Sequence, residues 1–378
     1  MTRVWLPDSP SRFGALPPGI EADVWDGGDL PDSADQVEYV VLPLGAKPET
    51  VRKIATLPSL RVVQLLSAGA DHVLPHLPGH ITLCNARGAH TAATAELTVG
   101  MIVASLRQFS RFAVAQRAGR WEPAPSQLIA GKRVLIVGYG DIGAAVERRL
   151  AGWEVAVDRV ARRARDGVHP AGDLPELLKN ADVVVVLVPV TKETIHLVNA
   201  DFLGNMKDGA LLVNAARGVI VDTGALLAEL LRGRITAALD VTDPEPLPDG
   251  HPLWQAPGLL LTPHVGGAVD EAIDRAYRVV GEQLARLADG QPLLNIIESR
   301  GYLPVAVTAF FGGGPWAGAG QPIWCRTPAP MIMRPPATPL ASHMWRRTAG
   351  IEYATPMPIA SPTPAWMALD ANCSKAER

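Results

Sequence analysis

From Arg3 to Leu261 the chain alternates short β-branched and leucine-rich runs with segments of helical period. The apolar runs fall at Val37 to Leu44, Arg61 to Leu66, Arg133 to Val137, Val183 to Leu187, Leu211 to Val213 and Leu259 to Leu261. Strands separated by helical stretches read as βαβ units building a buried parallel sheet. Asp182 to Val190, DVVVVLVPV, shows no polar alternation, as a strand covered on both faces requires. Helices are predicted over Thr91 to Leu106 and over Asp222 to Arg232, the latter opening on an acidic residue and closing at Gly233. The pattern stops after Tyr302. From Leu303 to Arg378 prolines recur at high density beside Gly312, Gly313 and Gly314, and prolines both break helices and remove backbone donors, so residues 303–378 are expected to form a disordered tail.

A chain of 378 residues, 48% hydrophobic and 19% charged, has room for about two globular domains and is neither a fibre nor a coiled coil. The net charge of -3 and the lack of a long basic run exclude nucleic acid as an expected partner. No stretch reaches the roughly 18 apolar residues of a membrane helix, and Met1 to Pro10 lacks a basic segment leading into an apolar core. No membrane partner is expected, and the location is read as cytoplasmic. Cys84, Cys325 and Cys373 are too scattered for a disulfide framework or for metal ligation. His72, His76 and His80 repeat every four residues, but Pro75, Pro78 and Gly79 oppose the helix that would align them, and no metal is expected.

Val134 to Gly143 reads VLIVGYGDIG, an apolar run that delivers Gly138, Gly140 and Gly143 in GxGxxG spacing ahead of the helical pattern Ala144 to Leu150. In that strand-to-helix context the first glycine permits a tight turn, the second lets backbone approach a pyrophosphate, and the third allows close helix packing. A second strand, expected at Glu154 to Val157, should end beside the adenosine ribose. An acidic residue there binds the ribose hydroxyls of NAD, whereas arginine accommodates the 2′-phosphate of NADP. Counting from Gly138 puts Asp158 at that point; aligning Val155 with the strand entry puts Arg159 there, backed by Arg162 and Arg163. The cofactor is therefore read as NAD(P)(H), inclining to NADP.

Three further segments follow strands in order: Asn214 to Gly218, Asp240 to Leu247, and Thr262 to Gly267. Together with the glycine loop they resemble the D-isomer-specific 2-hydroxyacid dehydrogenase family, over roughly residues 1–302. The resemblance implies two Rossmann-like, doubly wound parallel-sheet α/β domains with the active site in the cleft. It implies a discontinuous substrate-binding domain, 1–93 and 268–302, around a dinucleotide-binding domain, 94–267. Ser67, Ala68 and Gly69, in the segment Ser67 to Asp71, correspond to the loop that binds the substrate carboxylate. Asp141, Ile142, Val188, Pro189, Thr194, Ala215, Ala216, Asp240, His264 and Gly266 join the glycines around the cofactor. Asp240 resembles the residue near the nicotinamide carboxamide, its alternative being a carboxylate that makes local turn hydrogen bonds. The helix Thr94 to Leu106, with Glu96 near its start, is similar to the one that links the domains and contributes to a homodimer.

Reduction of a 2-keto acid needs a hydride from nicotinamide and a proton for the developing alkoxide. His264 is the candidate acid, Glu245 pairs with its imidazolium, and Arg217 supplies fixed charge and a donor fork to the substrate carboxylate and carbonyl oxygen. The expected activity is thus hydride transfer between NAD(P)(H) and a small 2-hydroxy or 2-keto acid. The alternative is a dinucleotide-sensing, corepressor-like interaction protein on the same fold; a third possibility is a copy damaged after Tyr302. The residues read as facing the substrate side chain, Leu42 to Gly45 and Leu66 to Gly69, do not identify the substrate.

Overall fold

A computed structural model of the chain describes residues 1–297, so the expected tail lies outside the described residues. Among the described residues twelve strands form two sheets in which every named strand pairs in parallel. The first contains β1 (Thr2–Leu6), β2 (Ile20–Val24), β3 (Val37–Val41), β4 (Val62–Gln64) and β5 (Thr82–Cys84), in the order β2-β1-β3-β4-β5. The second contains β6 (Arg133–Val137), β7 (Ala156–Ala161), β8 (His169–Pro170), β9 (Val183–Val186), β10 (Leu211–Asn214), β11 (Thr236–Leu239) and β12 (Leu259–Leu261). Their order is β12-β11-β10-β9-β6-β7-β8, so the winding reverses between β6 and β9. Open α/β sheets bind ligands outside the carboxyl ends of their strands at such a reversal.

The helices are α1 (Pro48–Ile54), α2 (Thr91–Leu106), α3 (Phe109–Arg117), α4 (Asp141–Leu150), α5 (Leu174–Leu178), α6 (Ala200–Asn205), α7 (Thr223–Leu231) and α8 (Asp270–Ala288). Helix α2 leaves the first sheet and packs on the second: Ala95, Val99, Ile102 and Leu106 share a core with Val134 and Ile136 of β6 and with Ala145, Val146 and Leu150 of α4. Helix α8 makes the return journey. Ala276, Val280 and Leu284 recur every fourth residue and bury one face against Val4, Leu6, Tyr39 and Val41. Each fully buried Val or Leu contributes roughly 1.5–3 kcal/mol, which fixes α8 to a sheet built from the start of the chain.

The expected helix from Asp222 begins at Thr223, with Asp222 as its cap: the carboxylate accepts the Ala225 N–H at 3.0 Å. A larger correction concerns β7, which runs Ala156–Ala161 rather than Glu154 to Val157. Glu154 lies before the strand in the left-handed region, at φ 58°. The strand then continues through Asp158 and Arg159 because each charge finds a partner beside it. Asp158 takes the Arg133 guanidinium at 2.9 Å, and Arg159 Nε donates to Glu147 Oε2 at 2.8 Å.

Candidate active site

The glycine loop leaves β6 at Val137, and Gly138 turns at φ 106° with its α-carbon pressed on the next strand. A Cβ there would stand 2.5 Å from the Leu187 carbonyl carbon, so glycine is obligatory. Gly140 is different: a Cβ on it would meet open space, as a backbone edge facing a ligand should. Gly143 packs close to Ile136 and the Gly138 carbonyl. Asp141, Ile142 and Gly143 form the first turn of α4, whose N–H groups have no acceptor within the helix and point at the loop. The loop therefore fits a pyrophosphate.

Register places the two candidates for the ribose below the tip of β7. Asp158 lies opposite Leu135 and Arg159 opposite Ile136, whereas Val160 lies opposite Val137, and both Gly138 N–H and Tyr139 N–H donate to the Val160 carbonyl. Asp158 is committed to Arg133, and Arg159 to Glu147 and the Tyr139 ring, 5.6 Å from its centroid. Arg162 and Arg163 are the side chains that follow the strand end. One residue unassigned from sequence also attends the loop: Arg165 lies 5.7 Å from the Tyr139 centroid and donates to the Tyr139 carbonyl at 2.5 Å. Opposite it, past β9, Val188 and Pro189 begin a turn closed by Thr194, whose hydroxyl donates to the Pro189 carbonyl at 2.6 Å. The Glu193 carboxyl in that turn is held below its ordinary range by a Thr191 hydrogen bond and its own backbone, with Arg162 adding to the effect.

The three catalytic candidates come from the ends of β10, β11 and β12. Asn214 braces the first turn, accepting the Ala216 N–H at 3.1 Å and donating to the Arg217 carbonyl at 2.9 Å, while the Ala215 N–H reaches the Val186 carbonyl. Arg217 then extends toward the segment Ser67 to Asp71. Its Nε donates to Asp71 Oδ2 at 3.3 Å and its Nη1 to the Ala216 carbonyl at 2.7 Å. A Cβ on Gly69 would collide with Nη2 at 1.8 Å, so the guanidinium lies directly on the Gly69 backbone. That segment is itself tied down: Ser67 Oγ donates to the Gly69 carbonyl at 2.8 Å, and Asn85 Nδ2 to the Ala68 carbonyl at 2.6 Å.

Glu245 and His264 meet through a 2.5 Å contact from Oε1 to Nδ1. The second Glu245 oxygen accepts the Thr242 N–H at 3.3 Å. His264 sits at φ 51°, a conformation rare outside glycine, and its N–H donates to the Asp240 carbonyl at 2.7 Å. Asp240 is buried, and its carboxylate gathers the loop: Thr262 Oγ1 donates at 2.6 Å, Val265 N–H at 2.9 Å and Gly266 N–H at 2.9 Å. These are the local turn bonds of the alternative reading of Asp240, and they hold His264 in place. Asp71, the partner of Arg217, is not singled out by the sequence, although it stands in the motif segment. His90, which reaches the Leu66 carbonyl at 2.8 Å and lies against Gly267, carries no sequence signal.

A family model described as "D-isomer specific 2-hydroxyacid dehydrogenase, NAD binding domain" matches residues 99–266. A glyoxylate reductase from Thermofilum pendens is 37% identical over 249 residues, covering 62% of this chain and 74% of that protein. A glyoxylate reductase from Korarchaeum cryptofilum is 31% identical over 298 residues, covering 74% of this chain and 90% of that protein. Among solved structures, a D-isomer specific 2-hydroxyacid dehydrogenase from Xanthobacter autotrophicus, in complex with NADPH and MES, superposes with a TM-score of 0.67 at 31% identity. The match covers 79% of this chain and 98% of that one.

Proposed function

The chain belongs to the D-isomer-specific 2-hydroxyacid dehydrogenase family, and from that premise we propose that it reduces a small 2-keto acid to the D-2-hydroxy acid, or runs the reverse reaction, with Arg217, Glu245 and His264 at the reacting centre. The observation that carries the reading is the contact between His264 Nδ1 and Glu245 beside a guanidinium fixed over the Gly69 backbone. When bound, a reduced nicotinamide would supply the hydride to the keto carbon, leaving the substrate oxygen to take up the carbonyl electron pair and a proton. His264, oriented through Nδ1, delivers its Nε2 proton to that oxygen, and Glu245 stabilises the imidazolium until then. Arg217 offers a planar donor fork to the substrate carboxylate and the oxygen that gains charge. The N–H groups around Ser67, Ala68 and Gly69 complete the carboxylate seat.

NADP is the favoured cofactor in this reading, supported by Arg162 and Arg163 at the strand tip and by the commitment of Asp158 to Arg133. The two parallel sheets support a substrate-binding part, 1–93 and 268–302, of which 298–302 lie outside the described residues, and a dinucleotide-binding part, 94–267. A homodimer is supported by apolar side chains left open on and after α3: Phe109, Val114, Trp121 and Leu128. Among the described residues no helix is long and apolar enough to cross a membrane, and a cytoplasmic setting suits the free, buried Cys84, whose thiol burial pushes up to about 11.

The test is oxidation of NADPH and NADH by the purified chain with glyoxylate, hydroxypyruvate and a panel of larger 2-keto acids. Turnover with NADPH preferred over NADH is the expected result. Tight dinucleotide binding with no turnover on any 2-keto acid would instead establish the interaction-protein alternative.

A further inference from the structure

Arg87 lies in the loop between β5 and α2, with its own N–H bonded to Asn85 Oδ1 at 3.1 Å. Its guanidinium crosses to the first residue of α4 and grips Asp141 with both edges, Nε to Oδ2 at 2.5 Å and Nη2 to Oδ1 at 2.9 Å. The Asp141 carboxyl is held below the ordinary carboxylate range, chiefly by the Arg87 hydrogen bonds against a desolvation that opposes them, with Arg148 assisting. It is therefore ionised at neutral pH.

That charge stands in an unusual place for a phosphate site. The helix N-terminus and the open Gly140 backbone attract an anion, yet the loop Gly138 to Gly143 contains an aspartate and no cation. An ionised Asp141 repels a pyrophosphate unless a positive charge is brought to it. Arg87 brings one from the other sheet, and a structural motive for the pair is weak, because its side chains remain 62% and 45% exposed and such pairs contribute little stability.

We propose that Arg87 is a cofactor-binding residue supplied by the first sheet, a guanidinium that cancels Asp141 and turns its remaining donors to the dinucleotide pyrophosphate. The proposal rests on reading the glycine loop as a dinucleotide site. Seating the cofactor then draws on both sheets at once, so binding itself favours the approach of the substrate loop to the nicotinamide end.

The experiment is calorimetric titration of the full chain with NADPH, NADH, ADP-ribose and 2′-AMP, in wild type, Arg87→Gln, Asp141→Asn and the double variant. Arg87→Gln should weaken NADPH, NADH and ADP-ribose alike, by about tenfold, the lower end for a lost hydrogen bond to a charged group, and leave 2′-AMP unchanged. Asp141→Asn should recover only part of that loss in the double variant, because it removes the uncancelled carboxylate but does not restore the guanidinium contact to the pyrophosphate. Thermal melts of the four ligand-free proteins should coincide within a degree or so, given the exposure of the pair. Dissociation constants for Arg87→Gln within about twofold of wild type would overturn the proposal and leave the glycine-loop reading intact, as would an equal weakening of 2′-AMP. If the wild type binds no dinucleotide, the glycine-loop reading fails and the role of Arg87 with it.

Discussion

Arg217 and Asp71, 146 residues apart in sequence, meet side chain to side chain, with Nε to Oδ2 at 3.3 Å and Nη2 to Oδ1 at 3.2 Å. Asp71 is 4% exposed, so its carboxylate depends on this cation, and the cation owes its direction to the carboxylate. Asp71→Asn should therefore leave Arg217 charged but loosely aimed. We expect KM for the 2-keto acid to rise and kcat to fall by about tenfold or more, with dinucleotide affinity unchanged. Steady-state kinetics beside cofactor titration separates the effects; unchanged kinetics would remove Asp71 from the positioning of Arg217.

The same pair sets an acid limit. Burial alone would raise the Asp71 carboxyl, but the charge and hydrogen bonds of Arg217 outweigh it and hold the group below its ordinary value of 3.8. A carboxyl depressed in the folded state contributes stability that is fully present above its unfolded value and disappears as pH falls through the folded one. The gap in melting temperature between wild type and Asp71→Asn should be constant from neutral pH down to about 5 and then close below the ordinary value of 3.8. A gap that widens with acid would contradict the assignment.

Much of this arrangement is legible in the amino-acid sequence, for reasons particular to each residue. The runs ending at Val137, Val186, Asn214 and Leu239 are buried on both faces or nearly so, and continuous apolar strands announce themselves; the edge run ending at Leu261 is only partly buried. The motifs that follow them fall at the strand ends, where the topology puts ligands. The true span of β7 is hidden because its middle carries Asp158 and Arg159, charges that look like a strand's end until Arg133 and Glu147 are seen beside them. Arg87 and Asp71 are invisible as partners because their ion pairs join segments 54 and 146 residues apart, and no local periodicity encodes such a meeting.

For the proton donor, His264→Gln keeps a hydrogen-bonding side chain on the same loop, which Asp240 holds through Thr262, Val265 and Gly266. Loss of general acid catalysis should lower kcat by at least about a hundredfold, while NADPH affinity stays within about threefold. Turnover close to wild type would show that another group delivers the proton.

Cofactor choice is expected to follow the strand tip rather than its middle. Arg162→Glu should weaken NADPH far more than NADH, because it places a like charge beside the 2′-phosphate. Asp158→Asn should alter neither by more than about twofold, its carboxylate being turned to Arg133 on the neighbouring strand. Selective loss of NADH binding in Asp158→Asn would return that residue to the ribose.

The chain beyond α8 gives the last prediction. Gln283 is fully buried, and its amide is satisfied by the segment that follows the helix: Nε2 donates to the Leu294 carbonyl at 2.7 Å, and Oε1 accepts the Leu294 N–H at 2.8 Å. The same segment pairs with β5, where Ile297 N–H donates to the Leu83 carbonyl at 2.8 Å and Asn85 N–H to the Asn295 carbonyl at 3.1 Å. Truncation after Gly290 removes those partners, leaving Nε2 its 3.3 Å bond to Gln64 Oε1 and the buried Oε1 without the Leu294 N–H, at a cost of about 1–3 kcal/mol for a group left unpaired. Truncation after Tyr302 keeps all of them. Melting curves should therefore show a drop of several degrees for the shorter product and none for the longer, which should also retain full NADPH-dependent turnover. Loss of turnover in a chain ending at Tyr302 that still folds and binds dinucleotide would mean that residues beyond it take part in the site.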